Sequence, residues 1–240
     1  MDINIQTRFK DAPFFKPDLD IIIAGLGGIG SNLSYSLCRQ GYSMYLYDFD
    51  TISIENIGSQ MYGIADIGKN KATKAKEIAA LYGNTNIFTM GKFTEDSPID
   101  NIVFACFDNM EARKLLFDKW LDYQLTKDDD YRKLHPNEIN IFMDGRMTAT
   151  DFQIFTVTSK QTAETYKKTL FKDSEVEALP CSYKATCHTG MMIASTMSTI
   201  FLNHVANKIS DVSFREVPFA TSFSNELLNF ETFSYNEWKE

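Results

Sequence analysis

The chain has 240 residues (27.4 kDa), 44% of them hydrophobic and 23% charged, with a formal net charge of −8. That balance is the one of an ordinary globular protein with enough chain for a full core, and an acidic chain without a basic cluster excludes a nucleic-acid partner. The first residues lack the apolar core of a secretory signal, and no run approaches the roughly 20 apolar residues of a membrane helix. The four cysteines form no C-x-x-C pair, so a cytoplasmic protein with reduced thiols and no membrane partner is expected.

Residues 1–19 are polar with scattered aromatics, and Pro13 and Pro17 block a long helix there. Ile21-Ile22-Ile23-Ala24 then reads as a strand buried on both faces. It breaks into Gly25-Leu26-Gly27-Gly28-Ile29-Gly30 and resumes as a helix over 31–40, closed by Gly41. A strand, a glycine turn and a helix start together make an anion site, because backbone N–H groups and the helix dipole face the ligand. The turn alone is also compatible with a plain strand-to-helix connection. A second strand over 43–47 ends in Asp48-Phe49-Asp50, placing Asp48 23 positions after Gly25. That is close to where a βαβ unit sets an acid against a ribose hydroxyl, the alternative being a strand-end cap.

A polar connection over 51–70 leads to a helix over 71–82, with Ala72, Ala75, Ile78 and Ala79 at helical spacing. Strands follow over 87–90 and 101–106, the latter ending at Phe107-Asp108-Asn109, and a helix over 110–123 carries Arg113. This order predicts a doubly wound, Rossmann-like, mainly parallel α/β sheet, which binds ligands at the carboxyl ends of its strands. The glycine turn, Asp48 and Asp108 all fall at such ends. Residues 127–138 read as a solvated excursion. Two strands are expected over 139–144 and 150–157 around a turn at Gly145, then loop over 159–189 with a short helix near 162–170. A Met-rich helix over 190–208 and short strands over 212–217 and 227–233 complete the chain. The whole is expected to be one domain, with a nucleotide-binding half (1–125) and a substrate-facing, dimer-forming half (126–240), the antiparallel C-terminal strands extending the sheet.

The downstream residues resemble the ThiF/MoeB/HesA family, which shares its adenylation fold with the ubiquitin-activating enzymes. The family's turn G-x-G-G-[ILV]-G-S is matched by Gly25 to Ser31. Its D-x-D and N-L-x-R-Q elements correspond to Asp48-Phe49-Asp50 and Asn56-Ile57-Gly58-Ser59-Gln60. Its I-G-x-x-K-A matches Ile67 to Ala72, and its D-N-x-x-x-R matches Asp108 to Arg113. These four motifs, in order, cover residues 21–120.

The resemblance implies ATP- and Mg²⁺-dependent activation of a carboxylate, usually the C-terminus of a small ubiquitin-like or sulfur-carrier protein or a peptide, as an acyl-adenylate. It implies that Gly25, Gly27, Gly28 and Gly30 pass the phosphates along backbone N–H groups and that Asp48 binds ribose. Asp50, Asn56, Gln60 and Asn109 would shape the pocket, Lys71 would neutralise pyrophosphate charge, and Asp108 would hold Mg²⁺. Arg113 would brace the strand-end loop. The chain departs from the pattern at Ser59, where the family usually has an arginine on the phosphates; such a loss costs on the order of 10³ in rate where the group acts as a finger. Lys69, or Arg8 donated from the second subunit of a homodimer, would replace it. A second departure is the absence of the two C-x-x-C pairs of a structural zinc site, so none is expected. Cys181 or Cys187 would be a thiol nucleophile, with Lys184 and His188 nearby in sequence, or a partly buried loop residue. Two alternatives stand beside adenylation: an ATP-binding relative that has lost turnover, and a nicotinamide-dependent oxidoreductase, which would leave Lys71 and Asp108 without a role.

Overall fold

The structure, a computed structural model, describes residues 8–171, 185–210 and 214–238. Eight strands form one sheet in the order β3-β2-β1-β4-β5-β6-β7-β8. The strands are β1 (Asp20–Ala24), β2 (Ser43–Tyr47), β3 (Ile87–Gly91), β4 (Ile102–Ala105), β5 (Ile141–Met147), β6 (Phe152–Val157), β7 (Ala220–Ser224) and β8 (Asn229–Phe233). The first five in space are parallel, and β6, β7 and β8 continue the sheet antiparallel. The doubly wound core with an antiparallel extension is thus the predicted one.

Helices cover both faces, as a parallel sheet requires. On one face lie α1 (Gly30–Cys38), α2 (Lys71–Leu81) and α6 (Cys187–Ile209). Leu33, Leu37, Ala75, Ile193, Met197 and Phe201 of these helices bury Ile21, Ile23, Phe104, Met143 and Ile154. On the other lie α3 (Met110–Leu125) and α5 (Lys160–Lys168), whose Leu116, Phe117, Trp120 and Tyr166 cover Ile22, Ala24, Val103, Phe142 and Phe155. Alternate residues of each central strand face opposite layers, so the unbroken apolar runs of β1 and β4 follow from burial on both sides.

From β1 the chain winds outward to β2 and β3, then crosses back to β4 on the other flank of β1. The sheet therefore changes winding direction between β1 and β4, and the crevice at their carboxyl ends is the place where such sheets take ligands. The two ends are level, Ala24 pairing with Ala105. No helix among the described residues is long and apolar enough to cross a membrane.

Four expectations need correction. Gly145 is not a turn but the middle of β5; a Cβ there would sit 2.9 Å from the Met197 sulfur, so glycine lets α6 lie close on the sheet. The reversal falls at 148–151, where the Thr148 N–H donates to the Asp151 carbonyl. Residues 214–218 form no strand; Asn203 and Asn207 of α6 hold the backbone of Glu216 and Arg215, occupying groups a ladder would need. The excursion contains a short helix, α4 (Asp129–Leu134), capped by Asp128, with Lys127 buried against Glu138 at 3.1 Å. Cys187 is not in a loop but opens α6.

Candidate functional site

The glycine turn is held from three sides. Gly25 adopts φ +91°, and a Cβ there would lie 2.7 Å from the Cys106 carbonyl oxygen, so backbone from the end of β4 packs directly on the turn. A Cβ on Gly30 would meet the Gly25 carbonyl oxygen at 1.8 Å. Asn32 reaches back from α1 to donate to the Gly28 carbonyl at 2.7 Å. From α6, Gly190 comes so near that its Cβ would stand 2.6 Å from the same oxygen.

Within this frame the N–H groups of Gly27, Gly28 and Ile29 donate to no protein oxygen among the described residues. The start of α1 has no side-chain cap and no acid in its first turn. Open donors on an uncapped helix start suit an anion. A Cβ on Gly27 would meet nothing within 4 Å, which leaves that face of the turn open.

Asp48, just past β2, is buried and accepts two backbone bonds, from Leu26 at 2.7 Å and Asp50 at 2.8 Å. It thereby ties the turn to the neighbouring strand end. Burial raises its pKa above the ordinary carboxylate value, against the opposing pull of the Leu26 N–H and the Lys71 charge. Each carboxylate oxygen retains acceptor capacity beyond these bonds. Tyr62, which sequence reasoning passed over, donates its buried hydroxyl to the Leu26 carbonyl at 3.0 Å, with the Lys71 carbonyl 3.5 Å away. Lys71 opens α2 behind Asn70, whose side chain caps the helix through Thr73 N–H. The Lys71 ammonium is buried and pairs with Asp50 at 3.0 Å, on a carboxylate that is half exposed.

The remaining candidates divide. Asn56 accepts the Ser53 N–H and closes its own short turn, and Asn109 caps α3 through Ala112 N–H. Gln60 keeps a buried Oε1 without a partner, an acceptor open to a ligand donor. Ser59 is buried, and its N–H donates to the Asn56 carbonyl at 3.2 Å. Lys69 is held by Asp66 at 3.2 Å and Glu77 at 3.8 Å. Arg8 is exposed in the turns before β1 and among the described residues touches none of these groups.

Asp108 is exposed at the end of β4, and its carboxylate accepts from the Asn109 amide at 3.4 Å. Arg113 braces the loop beneath it, donating to the Phe107 carbonyl, to the Gly145 carbonyl at 3.1 Å, and to the carboxylate of Asp144. Asp144 also receives Arg146 Nε at 2.7 Å and the Tyr166 hydroxyl at 3.0 Å. One sign of this cluster is legible locally, an acid directly after the apolar run Ile141-Phe142-Met143.

Cys38 and Cys106 are buried, and burial pushes the Cys38 thiol up to about 11 and Cys106 higher still, so neither is a thiolate at neutral pH. Cys187 is exposed; Cys181 and Lys184 lie outside the described residues. His135 stacks on Tyr131, and His204 is buried in α6.

The family model for the ThiF family matches residues 17–240. The chain belongs to the ThiF family. A ubiquitin-like modifier-activating enzyme 5 of Dictyostelium discoideum is 33% identical over 117 residues, a match covering 40% of this chain and 30% of that protein. The shared stretch is therefore less than a third of the length of that relative. Among solved structures, Escherichia coli MccB with succinimide superposes at TM-score 0.66 (12% identity, 97% of this chain, 72% of that one). The same enzyme with ATP gives 0.60 at 14% identity (96% and 66%), and PaaA gives 0.63 at 14% (91% and 64%). At these identities the likeness to the solved structures is one of fold.

Proposed function

We propose that this ThiF-family protein is an ATP-dependent adenylyltransferase that activates the C-terminal carboxylate of a small carrier protein or peptide. One observation carries the reading: at the carboxyl end of β1, where the sheet changes winding direction, the N–H groups of Gly27, Gly28 and Ile29 have no protein acceptor among the described residues, and Asp48 and Asp108 follow the ends of the two strands that flank β1. A fold relative crystallised with ATP, and another structure of that enzyme with N-formylated MccA, are consistent with this reading.

In this account the N–H groups of Gly27, Gly28 and Ile29 bind phosphate oxygens, and Asp48 accepts a ribose hydroxyl with its spare capacity. Gln60 Oε1 takes a donor of the nucleoside. Lys71 exchanges Asp50 for phosphate oxygens and holds charge as pyrophosphate departs. The incoming carboxylate attacks the α-phosphorus, the bond to pyrophosphate breaks, and acyl-AMP forms. No proton moves, so positioning and charge neutralisation are the whole of the demand on the protein. Asp108 suits Mg²⁺, being an exposed hard oxygen donor; bound there, the ion would neutralise phosphate charge. A homodimer is part of the reading, because Arg8 reaches no group of the site within its own chain.

The buried Ser59 and the engaged Lys69 favour a second reading, a subunit that binds nucleotide with little turnover. Pyrophosphate exchange separates the two. With Mg²⁺ and a carrier-like protein or peptide encoded beside it, the purified chain should exchange labelled pyrophosphate into ATP. Binding of ATP without exchange supports the second reading, and absence of both refutes the site.

A further inference from the structure

Among the described residues, several lysines pair with carboxylates, whereas two guanidiniums share a single acid. Lys71 has Asp50, Lys127 has Glu138, and Lys69 and Lys74 share Asp66 and Glu77. Arg113 and Arg146 both rest on Asp144, which is fully buried. The third partner of Asp144, the Tyr166 hydroxyl, is kept neutral by burial. Among the described residues, two guanidiniums on one carboxylate leave a positive charge in excess at side chains only 7% and 15% exposed. Holding an unmatched charge away from water costs several kcal/mol, which an anionic partner offsets.

We propose that Arg146 binds a carboxylate of the acyl donor, and that the donor reaches it through the cavity over β6–β8; this rests on the adenylation reading above. Arg146 is held for such a role. Its Nη atoms donate to the Thr169 carbonyl at 3.0 Å and hydroxyl at 3.1 Å, and its plane lies over Phe155 at 4.6 Å. Among the described residues three of its five N–H groups have acceptors, one on Asp144 and two on Thr169, and a fixed planar fork matches a carboxylate. Arg146 forms one wall of a cavity of about 420 Å³.

The register shows where that cavity leads. Arg146 pairs with Gln153, Gln153 with Ser222 and Ser222 with Glu231, so these four stand in one polar row across the antiparallel strands. The two other carboxylates of the cavity are engaged away from Arg146. Asp151 is held by the Thr150 hydroxyl at 2.7 Å and the Asn225 N–H at 3.0 Å, and Glu231 by the Asn229 amide at 3.2 Å. The row starts at Arg146 on β5 and runs toward β8, away from the β1–β4 crevice. A nucleotide in the crevice and a ligand in this cavity would thus reach the strand ends over different strands of the sheet.

The test uses the full chain and a labelled, uncharged short peptide of glycine, serine and alanine, in three forms: free C-terminal carboxylate, C-terminal amide, and amide with one internal glutamate. Fluorescence anisotropy should show the free acid binding about tenfold or more tighter than the plain amide, the worth of a charge-assisted hydrogen bond. Arg146→Met should abolish that preference, and Arg146→Lys should keep part of it. Binding of the glutamate form assigns a side-chain carboxylate; its failure beside a binding free acid assigns the terminus. Unliganded thermal stability of Arg146→Met should be unchanged or higher, because Asp144 keeps Arg113 and Tyr166. A wild-type chain indifferent to the carboxylate, or an Arg146→Met chain that retains the preference, overturns the proposal. ATP binding by the wild-type chain reports separately on the nucleotide reading.

Discussion

The carboxylate of Asp48 accepts the N–H of Leu26 at 2.7 Å, across 22 positions of chain. One side chain thus fixes the glycine turn to the end of the next strand. Its second oxygen takes the Asp50 N–H, so both strand end and turn depend on it. Asp48→Ala should leave two inward N–H groups without acceptors and cost about 1–3 kcal/mol for each one left buried. Denaturant unfolding measures the loss, and calorimetry should show ATP binding falling more steeply than stability, since the turn loses its anchor.

Glycines of the turn should separate by the space each has. Gly30→Ala places a methyl 1.8 Å from a backbone oxygen and should prevent native packing of the turn. Gly27→Ala meets nothing in the protein and should fold with a melting temperature close to wild type. Its methyl would cover the open N–H face, so ATP affinity should fall by about tenfold or more.

Buried thiols should be silent. Cys38 and Cys106 should resist a neutral-pH alkylating reagent in the folded chain, while Cys187 reacts. Mass spectrometry of digested, labelled protein reads each site. Modification of Cys106 without unfolding would show the β4 end to be more open than its packing implies.

His204 should give acid sensitivity. Burial, with the Lys208 charge adding to it, lowers its pKa from 6.5 to about 4. The unfolded chain therefore binds a proton that the fold does not, and stability increases with pH across that interval. It should be complete above about pH 6.5, fall as pH drops toward 4 by roughly 3 kcal/mol at most, and level off below. Since Nε2 has no partner, His204→Leu should flatten this part of the profile without lowering stability at neutral pH.

Sequence reading succeeded where the cause was local. The isoleucine run, the glycines and Asp48 stand within one βαβ unit, and spacing along it sets their positions at the strand ends. The helices expected after Asn70 and Asn109 are present, each capped by that asparagine. It failed where the cause was distant. Gly145 looked like a turn because nothing nearby shows that Met197, 52 positions on, presses against it. A strand is expected over 212–217, but in its described part, from 214 on, Asn203 and Asn207 occupy the backbone of Glu216 and Arg215. Arg113, Asp144, Arg146 and Tyr166 come from three elements, so their shared charge emerges only when α3, β5 and α5 pack together.

The central claim is that the turn binds ATP for transfer to a carboxylate, with Lys71 and Asp108 serving the chemistry. Its most direct test is ATP–pyrophosphate exchange with the carrier or peptide substrate, run on wild type, Lys71→Ala and Asp108→Ala, with circular dichroism to verify folding. The account predicts exchange by wild type and loss of at least about 10²-fold in each folded variant. Full exchange in either variant, or tight NADH binding by a wild-type chain that does not exchange, would contradict it.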